Sequence, residues 1–218
     1  MSAYSLQSYG DDALLIEFQD DQSGSLTGYV QSLRACGLFS DVIPAYRSIT
    51  VQFDPKISRE TDVRAAITAA LAHPVNVTAG PIIKVPVYYS GPDLTAAAKM
   101  LGLSRQALIK AHSAPVYDVA FLGFLPGFTF LSGLPRALSL PRHDTPRIRV
   151  GAGSVGIAGD QTGIYALPSP GGWQILGRTP WRLFRPEASE PFRFRAGDRL
   201  AFTPITKSEY GALSEHDE

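Results

Sequence analysis

Asp41-Val-Ile-Pro-Ala-Tyr46 and Ser48-Ile-Thr-Val-Gln-Phe53, separated by Arg47 alone and closed by Asp54-Pro55, are two β-prone runs that read as paired strands. Working outward, Ala13–Phe18 is a strand candidate. Leu26–Ala35 repeats Leu26, Val30 and Leu33 at helical spacing before Gly37. Residues 60–71 carry Val63, Ile67, Ala70 and Leu71 on one helical face, end before His73-Pro74, and lead to a further strand over 82–89. The order β-α-β-β-α-β predicts a ferredoxin-like α/β sandwich over residues 1–89.

Beyond it the composition changes. Of 20 glycines seven precede Pro115, and of 17 prolines six do, so turn-forming residues concentrate in the second half. Asp93 and Ser104 are placed to cap two short helices joined at Gly102, a helical connector over 90–114. Runs at 116–121, 147–150, 163–167, 172–176, 181–184 and 199–202, broken by Gly/Pro turns, predict a β-barrel over 115–206. The whole is an α+β chain. The acidic tail, 207–218, lacks periodicity and is expected to fray.

Twenty Lys+Arg balance twenty Asp+Glu, without the basic excess of a phosphate-backbone binder, so nucleic acid is not an expected partner. The 44% hydrophobic and 18% charged content is that of a globular protein. One cysteine, Cys36, excludes an intrachain disulfide and cysteine-rich zinc modules. No apolar run nears the ~20 residues that span a bilayer, and no charged-then-apolar leader precedes Leu14; a cytoplasmic protein without a membrane is expected.

Gly151-Ala-Gly-Ser-Val-Gly156 matches a dinucleotide-binding pattern. Such a loop needs a helix directly after it and an acid about 20 residues on. Gly159, Gly163, Pro168 and Pro170 forbid the helix, and no acid lies between Asp160 and Glu187, so the stretch reads as a turn between barrel strands. Ser154 lacks the preceding glycine of a nucleophile elbow, and the only downstream histidine is His216. A triad using His112 or His143 in another chain order stays open. Residues 93–110 have helix-turn-helix form, but only Lys99, Arg105 and Lys110 bring charge there, which favours a structural hairpin. His73, His112, His143 and His216 are far apart and imply no metal, and no phosphate-binding P-loop is present. Residues 136–185 hold seven arginines (136, 142, 147, 149, 178, 182 and 185) against Asp144 and Asp160. They either converge as guanidinium forks on a small anion or point outward and solubilise the barrel.

Longer motifs are more specific. Leu122-Gly-Phe-Leu-Pro-Gly-Phe128, Pro141-Arg142 with Pro146-Arg147, Ala152-Gly-Ser-Val-Gly-Ile157, Ser169-Pro-Gly-Gly-Trp173 and Gly177-Arg-Thr-Pro180 strongly resemble the 5-oxoprolinase B-subunit family. Gly10-Asp-Asp-Ala-Leu14, Val42-Ile-Pro-Ala-Tyr46 and Gly91-Pro-Asp-Leu94 extend the resemblance over nearly the whole chain. The family also bears the names allophanate hydrolase subunit 1 and Kip-type inhibitor of a sporulation histidine kinase. The resemblance implies a ferredoxin-like domain followed by a cyclophilin-like β-barrel. It also implies partnership with subunits C and A in opening 5-oxoproline to glutamate with ATP, bound at the assembled complex. The alternatives are a carboxyltransferase-like subunit acting on urea or an allophanate-type amide, and a non-enzymatic kinase inhibitor.

On the lactam chemistry, Arg142, Arg147 and Arg178 are the candidate anion contacts, the last two catalytic, and His143 is the candidate for proton transfer. Gly153 and Ser154 belong to a turn whose N–H groups would face the substrate. Gly171, Gly172 and Trp173 would form a substrate-binding wall. Phe124, Phe128 and Phe130, with Trp173, lie in Gly/Pro-rich loops and are expected to be exposed as an interface.

Overall fold

The computed structural model describes residues 4–19, 26–76 and 80–215, and the chain divides into two units, residues 1–78 and 79–218. In the first, β1 (Tyr4–Ser8), β2 (Ala13–Phe18), β3 (Asp41–Pro44) and β4 (Ser48–Gln52) form an antiparallel sheet in the order β1-β2-β4-β3. Alternation sets its buried face: Leu14, Ile16 and Phe18 point inward on β2, and Ile49 and Val51 on β4, with Leu14 opposite Val51 and Ile16 opposite Ile49. Helices α1 (Leu26–Ala35) and α2 (Glu60–Ala72) cover that face with Leu26, Val30, Leu33, Val63, Ile67 and Leu71, the positions their spacing indicates.

The strand expected to complete this sheet does not. Residues 82–87 form β5 of the second unit (Ile82–Val87), and the position beside β2 is filled by β1. The cause is burial: Val85, Pro86 and Val87 are all covered, which suits a strand enclosed on both faces, whereas β1 alternates half-buried Tyr4 and Leu6 with exposed polar residues at a sheet edge.

The second unit is a barrel. Its sheet runs β12 (Gln174–Arg178), β9 (Ser154–Ala158), β10 (Gln161–Ile164), β7 (Thr129–Ser132), β6 (Tyr117–Leu122), β13 (Arg199–Pro204) and β5. Tyr88 N–H donates to Arg178 O at 2.9 Å and Arg178 N–H to Tyr88 O at 3.0 Å, so the two edges meet and the barrel is nearly closed. Strand β5 runs parallel to β13; Pro86, without an N–H, is tolerated because β5 is terminal in the sheet order. Within this sheet two strands lie outside the runs expected from sequence: β7, and β9, which takes up Ser154–Gly156, half of the glycine-rich motif. Residues 181–184 form no strand, only a bridge from Phe184 to Phe192.

Helices α3 (Leu94–Met100) and α4 (Arg105–Ser113) turn at Gly102 and bury Leu94, Ala97, Ala98 and Leu108 in the barrel core, and Ser104 caps α4 by accepting from Ala107 N–H. At the end of α4, His112 is fully buried between Tyr89 and Thr162 and stacks on Phe202. Thr162 donates its hydroxyl proton to Gly156 O, so it accepts from His112 Nε2–H, and Nδ1 accepts from Tyr89. Burial holds this imidazole neutral, with its pKa down at about 3. His112 is therefore a core histidine and not a member of a triad.

The tail is a helix as far as it is described. Thr206 and Glu209 form a capping box at the start of α5 (Lys207–Glu215), with Thr206 N–H on Glu209 Oε2 at 2.7 Å and Glu209 N–H on Thr206 Oγ1 at 3.3 Å. Among the described residues no helix is long and apolar enough to cross a membrane.

Candidate functional site

Strand β11 (Ser169–Gly171), which pairs with β8 (Arg147–Val150) in a ribbon outside the barrel sheet, forms one side of a cavity of about 530 Å³. The other sides are the 123–128 turn, Phe130, the 142–146 loop and Tyr165. Its floor is aromatic: Phe128 packs edge-to-face against Tyr165 at 4.8 Å and Trp173 at 5.5 Å. Gly171 is required here, because a Cβ would collide with the Tyr165 hydroxyl. Burial raises the Tyr165 pKa, while Arg142, the backbone of Trp173 and Arg147 draw it partly back.

The rim is polar. Arg142 and His143 line the cavity from one loop, held in place as His143 N–H donates to Gly172 O at 2.7 Å and Gln174 Nε2 donates to Pro141 O at 3.0 Å. Ser169 faces them, 7% exposed, and its Oγ has no partner among the described residues. At the lip Phe124 has φ +64°, with Leu125 N–H bonded to Gly123 O at 2.7 Å. This is the strained form of γ-turn, and it leaves the Phe124 ring 66% exposed.

Behind the rim lies Asp93, 5% exposed. Its Oδ2 accepts Ile175 N–H at 2.7 Å, and its Oδ1 is bonded to Arg147 Nη2 and lies 3.3 Å from His143 Nε2. The histidine contact falls off the line of a hydrogen bond, which leaves Nε2 buried and incompletely satisfied. Gly91 lets the chain come this close, since a Cβ there would collide with Ile175 O. In sequence Asp93 reads as the cap of α3; its side chain makes no capping bond and turns instead to β12 and β8. The Gly91-Pro-Asp93 turn is the signal that could have found it. The adjacent Asp144 is not the acid beside His143.

Of the residues singled out from sequence, the cavity gathers Arg142, His143, Gly171, Gly172, Trp173, Phe124, Phe128 and Phe130. Arg147 is not a lining residue: its guanidinium is engaged by Asp93 and by Trp173 O at 3.3 Å, so it braces the site instead of contacting an anion directly. Arg178 and Gly153 line a separate depression, where Arg178 Nε donates to Ala152 O at 2.9 Å. Ser154 is buried at the start of β9, opposite Arg178. The glycine turn offers little to an anion, because Gly153 N–H bonds Tyr165 O at 2.7 Å and Ser154 N–H bonds Gly151 O at 3.3 Å. Phe128 and Trp173, at 1% and 6% exposure, are floor residues and not surface anchors; of the aromatics named as interface, Phe124 alone is well exposed.

The model of the carboxyltransferase domain, subdomain C and D, matches residues 4–194. The B subunit of 5-oxoprolinase from Bacillus subtilis (strain 168) is 37% identical, over 97% of this chain and 97% of its own. The chain belongs to the 5-oxoprolinase B-subunit family. The member of that family from Escherichia coli O157:H7 is 49% identical over 56% of this chain and 57% of its own. Among solved structures, TTHA0988 superposes with a TM-score of 0.80 at 36% identity, covering 89% of this chain. The chain spans 40% of that longer protein.

Proposed function

We propose that this chain is a subunit of an ATP-dependent 5-oxoprolinase that opens 5-oxoproline to glutamate together with subunits A and C, and that the cavity above Phe128 and Trp173 receives the lactam. Similarity along nearly the full length to a protein named as the B subunit of 5-oxoprolinase carries this reading. The cavity is consistent with it: an aromatic floor suits a small flat ring, and a single guanidinium at the rim, Arg142, suits one carboxylate. The ferredoxin-like and cyclophilin-like descriptions of the two units belong to the same reading.

A five-membered lactam is a resonance-stabilised amide whose ring readily recloses, so opening it is coupled to ATP. Phosphorylation of the lactam oxygen makes the ring carbon electrophilic enough for water to add; the C–N bond then breaks as the nitrogen takes a proton, leaving an acyl phosphate whose hydrolysis releases glutamate and phosphate. Within this chain Arg142 holds the substrate carboxylate, Ser169 Oγ donates to a ring acceptor, and His143 takes or returns a proton. ATP is assigned to the assembled complex, since the sequence carries no phosphate-binding P-loop.

The test is reconstitution. The purified chain alone should hydrolyse neither ATP nor 5-oxoproline, and addition of subunits A and C should produce lactam-dependent ATP turnover. Robust ATPase activity from the chain alone, or a complete mixture that ignores the lactam, would refute the proposal. Biotin-dependent carboxylation of urea by the mixture would move the chain to the carboxyltransferase reading.

A further inference from the structure

We propose that Asp93 is a positioning residue of this cavity, whose carboxylate holds His143 as its Nε2–H tautomer and leaves Nδ1 as the proton acceptor of the ring. The inference deepens the functional reading above and concerns the same cavity.

Three observations carry it. The carboxylate is fixed before it meets the histidine: Ile175 N–H holds Oδ2 and Arg147 holds Oδ1, and the residue is buried. A carboxylate paired with a guanidinium is ionised and only accepts. His143 Nε2 is buried 3.3 Å from Oδ1 with no other partner among the described residues. A lone pair there would face a negative oxygen out of contact with water, so the proton belongs on Nε2. The hydrogen bond made by one ring nitrogen decides the state of the other, and Nδ1 is left to meet the ligand. The off-line contact needs only a small ring rotation to become a hydrogen bond, as such contacts often do when a ligand closes the site. The charged and titratable groups around the ring are Asp93 before α3, Arg147 on β8, Arg142 on its own loop and Tyr165 after β10.

Arg147 acquires a definite part in this arrangement. It neutralises Asp93 so that the carboxylate can stay buried, and it ties the pair to the floor through Trp173 O. A purely structural brace would need the same two contacts but would leave the tautomer of His143 undetermined.

The experiment is long-range ¹H–¹⁵N correlation spectroscopy of the full chain labelled at histidine, at about pH 8, where an ordinary histidine is neutral. The His143 signals are assigned by their loss in His143→Gln. The expected wild-type spectrum shows the proton on Nε2. Asp93→Asn substitutes an amide that can donate as well as accept, so the His143 signals should become a mixture of tautomers. In the reconstituted complex its kcat should fall by about 10- to 100-fold, within the range of a misdirected proton acceptor, with KM changed less than about threefold. A wild-type proton on Nδ1, or an unchanged tautomer in folded Asp93→Asn, overturns the proposal. The wild-type spectrum decides even where the variant does not fold. A wild-type complex without lactam-dependent turnover would count against the functional reading and leave the tautomer result standing.

Discussion

Ser169 keeps a hydroxyl buried without a partner among the described residues, an arrangement that costs stability unless a ligand uses it. Ser169→Ala should therefore leave the melting temperature unchanged or raise stability by up to about 1 kcal/mol, while KM of the assembled complex rises about 5- to 10-fold. Thermal melts beside steady-state kinetics check both halves. The arginines divide in the same way. Arg142 is exposed at the rim, so Arg142→Ala should raise KM by at least about tenfold, the scale of a charged hydrogen bond, without lowering stability. Arg178 lies outside the cavity and holds Ala152 O, so Arg178→Lys should keep turnover within about twofold and lose about 1 kcal/mol of stability. Equal kinetic effects in the two variants would return Arg178 to the site. Phe124 packs too little to support the fold, and Phe124→Ala should change stability by less than about 0.5 kcal/mol. If it anchors a partner protein, the same variant should weaken the complex by about tenfold or more in size-exclusion or calorimetric titration.

Among the elements, α5 was the least expected, because the acidic tail hides its signal. Thr206-Lys-Ser-Glu209 is a capping box legible in the sequence, and Tyr210 after it packs against Tyr88 at 6.0 Å. The cap bonds also pull the Glu209 pKa down. Thr206→Ala should cost α5 about 1 kcal/mol of local stability. Hydrogen exchange would show lost protection over 207–215 with the barrel strands unchanged; a frayed tail would show no protection to lose. The β8–β11 ribbon illustrates the opposite case. Residues 147–150 read as a strand, but their partner, Ser169–Gly171, contains Pro170 and reads as a turn. That short partner is where Ser169 enters the cavity.

For the whole molecule, His112 couples acid stability to the junction of α4 with the barrel. Its folded pKa, about 3, lies below the ordinary 6.5. The neutral form is thus favoured by folding, so its contribution is complete above pH 6.5 and is lost as pH falls, when the unfolded chain takes up a proton that the native state refuses. Stability should drop by up to about 1.4 kcal/mol per pH unit from this group alone, continuing toward pH 3. Urea titrations at pH 7, 6, 5 and 4 on the native chain and on His112→Gln would separate it from the carboxylates. Parallel slopes in the two proteins would show that His112 does not titrate on unfolding.

Local pattern was enough to determine the apolar faces. The spacing of Leu26, Val30 and Leu33, or of Val63, Ile67 and Leu71, is set by helix geometry whatever surrounds it, and these are the residues found buried. The turn at Gly102, the cap at Ser104 and the barrel class of the second half were legible for the same reason, each being written in adjacent residues. Partnership between distant segments was not. Whether β1 or residues 82–87 completed the first sheet depended on which strand would be covered on both faces, a property of the assembled barrel. Asp93 came to lie against His143 because Gly91 let the chain press against β12; the Gly91-Pro-Asp93 turn marks the bend in the sequence but not the partner it meets. The arginines differ only in what stands opposite them: a buried carboxylate for Arg147, a carbonyl for Arg178, the open cavity for Arg142. Packing alone decides this, because charge is a property of the residue but its partner is a property of the fold.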